Sequence, residues 1–465
     1  MIESTHALYF WGFLLLYGAL MYAITPNARV ASAFFGGTDN AGRPASGWAL
    51  TCSIFISWIF AKSVTNAANL GAAYGVIGGL AYATYWLSIP FAGLVIYHLR
   101  RRHGANGLVA FVSERYGKVA ALAFAAAVLI RLYNEVWSNT AVVGAYYGAP
   151  GTTTFIVAAL VFTAASLGYS LKGGLRSSIV TDVIQSVLFV GVMAVVLLLV
   201  LPQHGVPQLL TAGHFALDAG VDLLLVALLQ ILSYPFHDPV LTDRGFITKE
   251  DAMLKAMIVS GVLGFVCIFA FSLVGVHARL EGLPAGDNMP GEVARAFGVW
   301  PYLAMTLLMI LAAGSTLDST FAAVAKSVGV ELPALAGRQP GRGAIAIGMI
   351  TMIAFALLGN LPMIAGTEIL KATTVSGTMV MGLAPVFVLA PLVRYSPWSF
   401  HLAFWPGVVL GIALAMNAIP ASWAIGTGKY AALLGTNLYG LLICCAGFLL
   451  PLVWVRLRRR DAARA

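Results

Sequence analysis

The stretch Ser57-Trp58-Ile59-Phe60-Ala61-Lys62-Ser63-Val64-Thr65-Asn66-Ala67-Ala68-Asn69-Leu70-Gly71 sits inside an apolar run long enough to cross a bilayer, yet it carries a lysine, hydroxyls and amides. A charge at that depth is expensive and faces either a bundle interior or a water-filled cavity. The plain alternative is a packing face of small polar residues, but a lysine has no use in such a face. A second stretch, Gln230-Ile231-Leu232-Ser233-Tyr234-Pro235-Phe236-His237-Asp238-Pro239, breaks in another way. Pro235 removes a backbone donor and clashes with the preceding turn. Backbone freed from a helix inside a membrane has to line a cavity or bury itself in protein.

The rest of the chain supports a membrane setting. Of its 465 residues, 60% are hydrophobic and 10% charged, against roughly 25% charged in soluble proteins. That is too little charge to clothe a water-facing surface. Each crossing needs about 20 apolar residues. Spans are expected near 7–24, 46–70, 76–98, 119–147, 152–170, 177–201, 220–236, 253–277, 300–327, 343–360, 364–393, 400–418 and 430–455. The expected fold class is therefore all-α, a polytopic membrane protein of about 13 transmembrane helices. The first run has no basic leader or small-residue cleavage site and reads as a retained helix.

Charge sorting tests this map. With the C-terminus placed inside, and Lys255 and Lys326 at the inner ends of their spans counted inside, Lys and Arg fall 21 on the inner side, 3 outside (Arg279, Arg295, Lys429) and 3 deeper within spans (Lys62, Arg131, Lys371), together the 27 of the chain. This is the positive-inside pattern of a cytoplasmic membrane protein with an outer N-terminus. It also accounts for the net charge of +9 without nucleic acid. Cys52, Cys267, Cys444 and Cys445 lie in apolar runs and suggest no disulfide framework. The eight histidines sit at span ends or in loops with no paired metal spacing.

The two irregular spans are five spans apart. Each can therefore open one half of a pair of five-helix repeats, and an odd number of spans per repeat inverts the second half. In carriers of that design, broken helices hold substrate and ion at the midplane. A single transmembrane domain over 1–465 is expected, with the first repeat opening near 45 and a linker region reaching to about 219. The second repeat covers 220–398, and two accessory helices with a short basic tail cover 399–465.

Four motifs in register resemble the sodium:solute symporter family. Gly173-Gly174-Leu175 followed by Thr181-Asp182 and Gln185 is similar to its signature, and Ala312-Ala313-Gly314-Ser315-Thr316-Leu317-Asp318-Ser319 to its Ser-Thr-x-Asp-Ser helix. Phe111 to Gly117 looks like its cytoplasmic loop, and Gly71 to Tyr74 like the end of its first core helix. The resemblance implies a LeuT-like core of ten helices in two inverted repeats, spans 2–11, and cation-coupled symport of a small organic solute by alternating access. It also implies a sodium site. Its ligands would be backbone carbonyls near Trp58 and Ala61 together with Ala312, Ser315 and Thr316, with the family's acidic residue at Asp182. Sodium, a hard cation, suits such oxygen donors.

Lys62 departs from the family, which has a small or hydroxyl residue there. Its ammonium lies at the cation position, binds a substrate carboxylate, or pairs with an acid such as Asp182 or Asp318. Proton cycling on Lys62 is the rival to sodium coupling. Thr65, Asn66 and Tyr234 join Lys62 as candidate coupling or substrate residues. On span 4, Arg131 and Glu135 are four apart and can pair. Tyr133, Asn134 and Trp137 offer pocket walls or ordinary packing. His237 and Asp238 adjoin the proline break, and Glu368 and Lys371 lie three apart near the outer end of span 11; both pairs are candidate gates. An enzyme would need a nucleophile–base pair or a metal cluster, and neither is legible. A channel would need a selectivity ring. A transporter-like membrane sensor is the further alternative, and a monomer in the lipid bilayer is the expected unit.

Overall fold

A computed structural model describes residues 2–284, 286–341, 343–364, 376–392 and 396–462. Within them the chain is helical, with no strand. The main helices are α1 (Ile2–Ile24), α2 (Gly47–Ser57), α3 (Ala61–Tyr74), α4 (Val76–His103), α5 (Lys118–Ala145), α6 (Thr153–Val200), α7 (Val221–Gln230), α8 (Glu250–Leu280), α9 (Val299–Lys326), α10 (Ala344–Leu358), α11 (Pro397–Ala415) and α12 (Ala431–Ala462).

Among the described residues, nine helices are long and apolar enough to span a membrane, and the α2–α3 pair, bent by 56°, adds a tenth. One of the nine, α6, is in fact two. At the usual rise of about 1.5 Å per residue, Tyr169 and Gln185 would stand roughly 24 Å apart on a straight helix. Yet both bond the Tyr17 hydroxyl at 2.8 Å, so the chain folds back between them. The reversal sits at Gly174 (φ +54°), a conformation suited to glycine. A Cβ there would also run into the Phe34 carbonyl. The expected spans at 152–170 and 177–201 are the two arms of this hairpin. The one at 220–236 is the short helix α7, and the one at 364–393 runs through residues outside those described.

Exposed leucines and valines form apolar outer faces, among them Leu15 and Leu16 on α1, Leu198 on α6, Val262 and Val266 on α8, Leu357 on α10 and Leu442 on α12. The opposite pattern holds for α9, which is buried almost all round. Such a helix belongs at the centre of a bundle. It packs along α6, whereas α8 packs on α3 with backbones nearly touching. A Cβ on Gly275 would strike the Ala68 carbonyl and one on Gly71 the Ser272 carbonyl. Small residues permit this approach, so α3 and α8 form one tight unit. The cysteines are free thiols.

Candidate functional site

Both irregular stretches break where expected. After Ser57 the chain leaves the helix over Trp58–Phe60 and restarts at Ala61. The Ala61 amide turns to the Asn139 side chain (3.1 Å), which leaves the Ser57 carbonyl without its helical partner. The second helix ends at Gln230 and resumes as a short 3-10 turn, Tyr234–His237. Asp238 then caps the Pro239–Thr242 turn through the Val240 amide (3.1 Å).

Four buried charges tie the breaks to α5. Lys62 Nζ lies 2.5 Å from Glu135 Oε1 and 3.0 Å from Ser138 Oγ. Glu135 also pairs with Arg131, one helical turn away. Arg131 reaches Asp238 at 2.9 Å, and the Trp58 indole donates to the same carboxylate at 3.0 Å. Both cations stack near the Phe60 ring, and Arg131 also faces Tyr234. Two cations and two anions balance, as burial requires. Lys62 is thus paired with Glu135 rather than with Asp182 or Asp318, the acids the sequence suggested. Glu135 is the nearer acid because α5 crosses directly beside the start of α3.

Two spaces meet at Lys62. On one side a vestibule of about 940 Å³ is lined by Lys62, Thr65, Asn66, Trp137, Arg295 and Lys429, among others. On the other, Trp58, Phe60, Tyr82, Tyr85, Trp86 and Tyr234 wall a chamber of about 20 Å³, room for about one water. Lys62 lines both. At the opposite end of the bundle Lys326 pairs with Asp243 (2.7 Å) and Glu331 (3.4 Å), Arg115 bonds the Ala390 carbonyl and Tyr116 the Val386 carbonyl. Burial pushes the Asp243 carboxyl up to about 6, against the pull of the Lys326 ammonium.

The sodium ligands implied by the resemblance, to which the structure adds Ser57, divide into two groups. In the first, the Thr316 hydroxyl lies 3.3 Å from the freed Ser57 carbonyl and 3.2 Å from the Ala312 carbonyl. The Ser57 hydroxyl is buried without a partner. A freed carbonyl, an orphaned hydroxyl and a threonine facing each other across two helices fit a hard cation. In the second group, Asp182 already holds a fixed cation. It accepts from Ser53 (2.6 Å), Ser178 (3.2 Å) and Ser315, and pairs with Arg244 at 3.1 Å. Arg244 also bonds Ser53, Ser178 and Ser319. The carboxylate is therefore neutralised from within the chain.

Other expected residues scatter. Thr65 donates to the Ala61 carbonyl and Asn66 to the Tyr82 hydroxyl, and with Trp137 they face the vestibule. Tyr133 points away, onto Phe355 and the Leu358 carbonyl; Asn134 lines neither space. His237 is held by the Tyr234 carbonyl at 2.6 Å. Glu368 and Lys371 lie outside the described residues. Sequence reasoning missed Arg244, Gln230, Tyr82, Tyr85 and Trp86. The signal for the last three is the aromatic run of α4, but aromatic runs are common packing. Gln230 receives the Tyr85 hydroxyl at 2.8 Å.

No family model matches the sequence, and no curated protein does. Solved structures match over almost the whole chain. A Na+-coupled sialic acid symporter in a substrate-bound outward-open state aligns with a TM-score of 0.74 at 15% identity, covering 97% of this chain and 98% of that one. Mhp1, a nucleobase-cation-symport-1 family transporter, aligns in a closed conformation with bromovinylhydantoin bound (TM-score 0.58, 12% identity, 92% and 96% coverage). Its inward-facing conformation aligns at 0.54, with 14% identity and 93% and 95% coverage. The chain has the LeuT-like fold that the motifs imply.

Proposed function

We propose that this protein is a secondary active transporter of the sodium:solute symporter family, a cation-coupled symporter of a small organic solute working by alternating access. The observation that carries the proposal is the meeting of two broken helices at one aromatic chamber that shares Lys62 with a larger vestibule. The symporters that share the fold support this reading. Its setting would be a cytoplasmic membrane, N-terminus outside and C-terminus inside, so that the vestibule faces outward. A monomer in lipid would suffice, because chamber, vestibule and charge cluster all come from one chain.

The chamber has to widen to admit a solute; its aromatic walls would then offer apolar faces, and the Tyr82, Tyr85 and Tyr234 hydroxyls hydrogen bonds that orient it. Trp58 and Tyr234 each come from a break, so a solute between them touches both repeats. The Lys62–Glu135 pair stands between vestibule and chamber and has to yield on entry. The Ser57 carbonyl and hydroxyl with Trp58, Ala61, Ala312, Ser315 and Thr316 would hold sodium, which supplies a charge linking the first broken helix to α9. Those same oxygens hold the two helices in register, so solute and ion binding reinforce one another reciprocally.

A sodium-independent or proton-coupled carrier is the second reading, favoured by two fixed cations, Lys62 and Arg244, beside the ligand set. Uptake of a panel of labelled solutes into proteoliposomes, under imposed sodium or pH gradients, separates them. Sodium-driven uptake abolished by Ser315→Ala with Thr316→Ala supports the first reading. Uptake that ignores sodium, follows pH and loses that dependence in Lys62→Ala supports the second. No gradient-driven uptake of any solute refutes both.

A further inference from the structure

At the vestibule end, away from chamber and charge cluster, α8 finishes with His277, Ala278, Arg279 and Leu280 and is followed by Glu281. His277 and Glu281 are four apart and share a helix face. The turn after α6, Leu201–Gln203, brings His204 against them. His204 Nε2 stands 3.1 Å from Glu281 Oε1, and the His204 and His277 ring centroids are 5.1 Å apart. One ligand atom from each of the three lies within 4.8 Å of the others.

Hydrogen bonding does not account for this grouping. His277 is only 5% exposed, yet its Nδ1 has no partner. The His204 Nε2 also lacks a hydrogen bond of good geometry despite its nearness to Glu281. Buried polar nitrogens without partners are rare and call for a reason. Arg279, the nearest cation on α8, turns to the Ala72 and Ala73 carbonyls and so leaves the site free.

We propose that His204, His277 and Glu281 form a binding site for a divalent transition metal of the zinc class, with water as fourth ligand. Two imidazoles and a carboxylate suit zinc and disfavour sodium, magnesium and calcium. Zinc–ligand bonds of about 2.0 Å in a tetrahedron place ligand atoms about 3.3 Å apart. The His204–Glu281 pair already has this spacing, and the half-exposed Glu281 can turn to close the rest.

The position gives the metal a mechanical role. His277 belongs to the α3–α8 unit, and His204 is carried by the second arm of α6, which packs along α9. Zinc would staple these two units together at the vestibule end. This consequence, unlike the site itself, rests on the transporter reading: the staple would oppose any rocking of one unit against the other and slow uptake.

The binding test uses purified full-length protein in detergent with zinc chloride alone, read by competition with a chromogenic chelator, and with cobalt(II) as a spectroscopic stand-in. One ion per chain is expected, with tetrahedral cobalt absorption. Affinity should fall at least tenfold in His204→Ala and in His277→Ala, and less in Glu281→Gln. Glu281 is half exposed, so Glu281→Gln should keep the wild-type melting temperature without metal. Wild-type affinity no greater than that of His204→Ala overturns the site. In proteoliposomes, external zinc should inhibit wild-type uptake and spare His204→Ala. Zinc binding without inhibition overturns the staple, whereas absent uptake in metal-free vesicles overturns the transporter reading instead.

Discussion

The buried quartet Lys62–Glu135–Arg131–Asp238 makes a quantitative prediction. At the 2.5 Å separation of Lys62 and Glu135 and an effective dielectric near 20, the attraction is roughly 7 kcal/mol. Desolvation costs several kcal/mol per ion and offsets most of it. The intact quartet therefore adds little net stability, but half a pair is costly. Glu135→Gln leaves Lys62 and Arg131 facing Asp238 alone, and Lys62→Met leaves Glu135 and Asp238 facing Arg131. Each should destabilise by about 3–5 kcal/mol. The double variant Lys62→Met/Glu135→Gln restores neutrality, since Arg131 keeps Asp238 at 2.9 Å. It should be about 2–3 kcal/mol more stable than either single variant, because neither remaining charge is left unpaired. Thermal unfolding in detergent should therefore rank wild type first, the double variant next and both single variants last. A double variant no more stable than the weaker single would refute the claim that these charges balance one another.

Two further outcomes follow from the same physics. Arg244→Lys should fail to restore what Arg244→Ala loses, because one guanidinium serves Ser53, Ser178, Asp182 and Ser319 and an ammonium lacks that planar fork. Adding Asp182→Asn to Arg244→Ala should recover part of the melting temperature, and no recovery would argue against the pairing. At the Lys326 end, Asp243 takes up a proton more readily than a free carboxyl, because burial raises it to about 6. A raised carboxyl contributes stability that is full below about pH 4 and lost as the pH rises through 6, a change of about 3 kcal/mol at 1.36 kcal/mol per pH unit. Melting curves from pH 4 to 7 should decline in the wild type and flatten in Asp243→Asn.

The elements that sequence alone determined are those set by local chemistry. A chain with 10% charged residues has to turn apolar faces outward, so membrane class and most helices follow from composition and run length. Both breaks were legible: Pro235 cannot continue a helix, and the polar run from Lys62 to Asn69 is out of place in one that faces lipid. The Gly173-Gly174 turn reads the same way, since only a residue without a side chain fits a reversal pressed against the Phe34 carbonyl. Arg131 and Glu135 were predictable partners because four residues bring them to one face. The remaining partners are tertiary. Lys62 meets Glu135 across 73 residues, Arg131 meets Asp238 across 107 and Arg244 meets Asp182 across 62. His204, with no metal spacing in the sequence, meets His277 only where α6 and α8 end side by side. A buried charge or imidazole takes whichever partner the assembled helices bring within a few ångströms. Desolvation, which makes that choice compulsory, begins only when the helices pack.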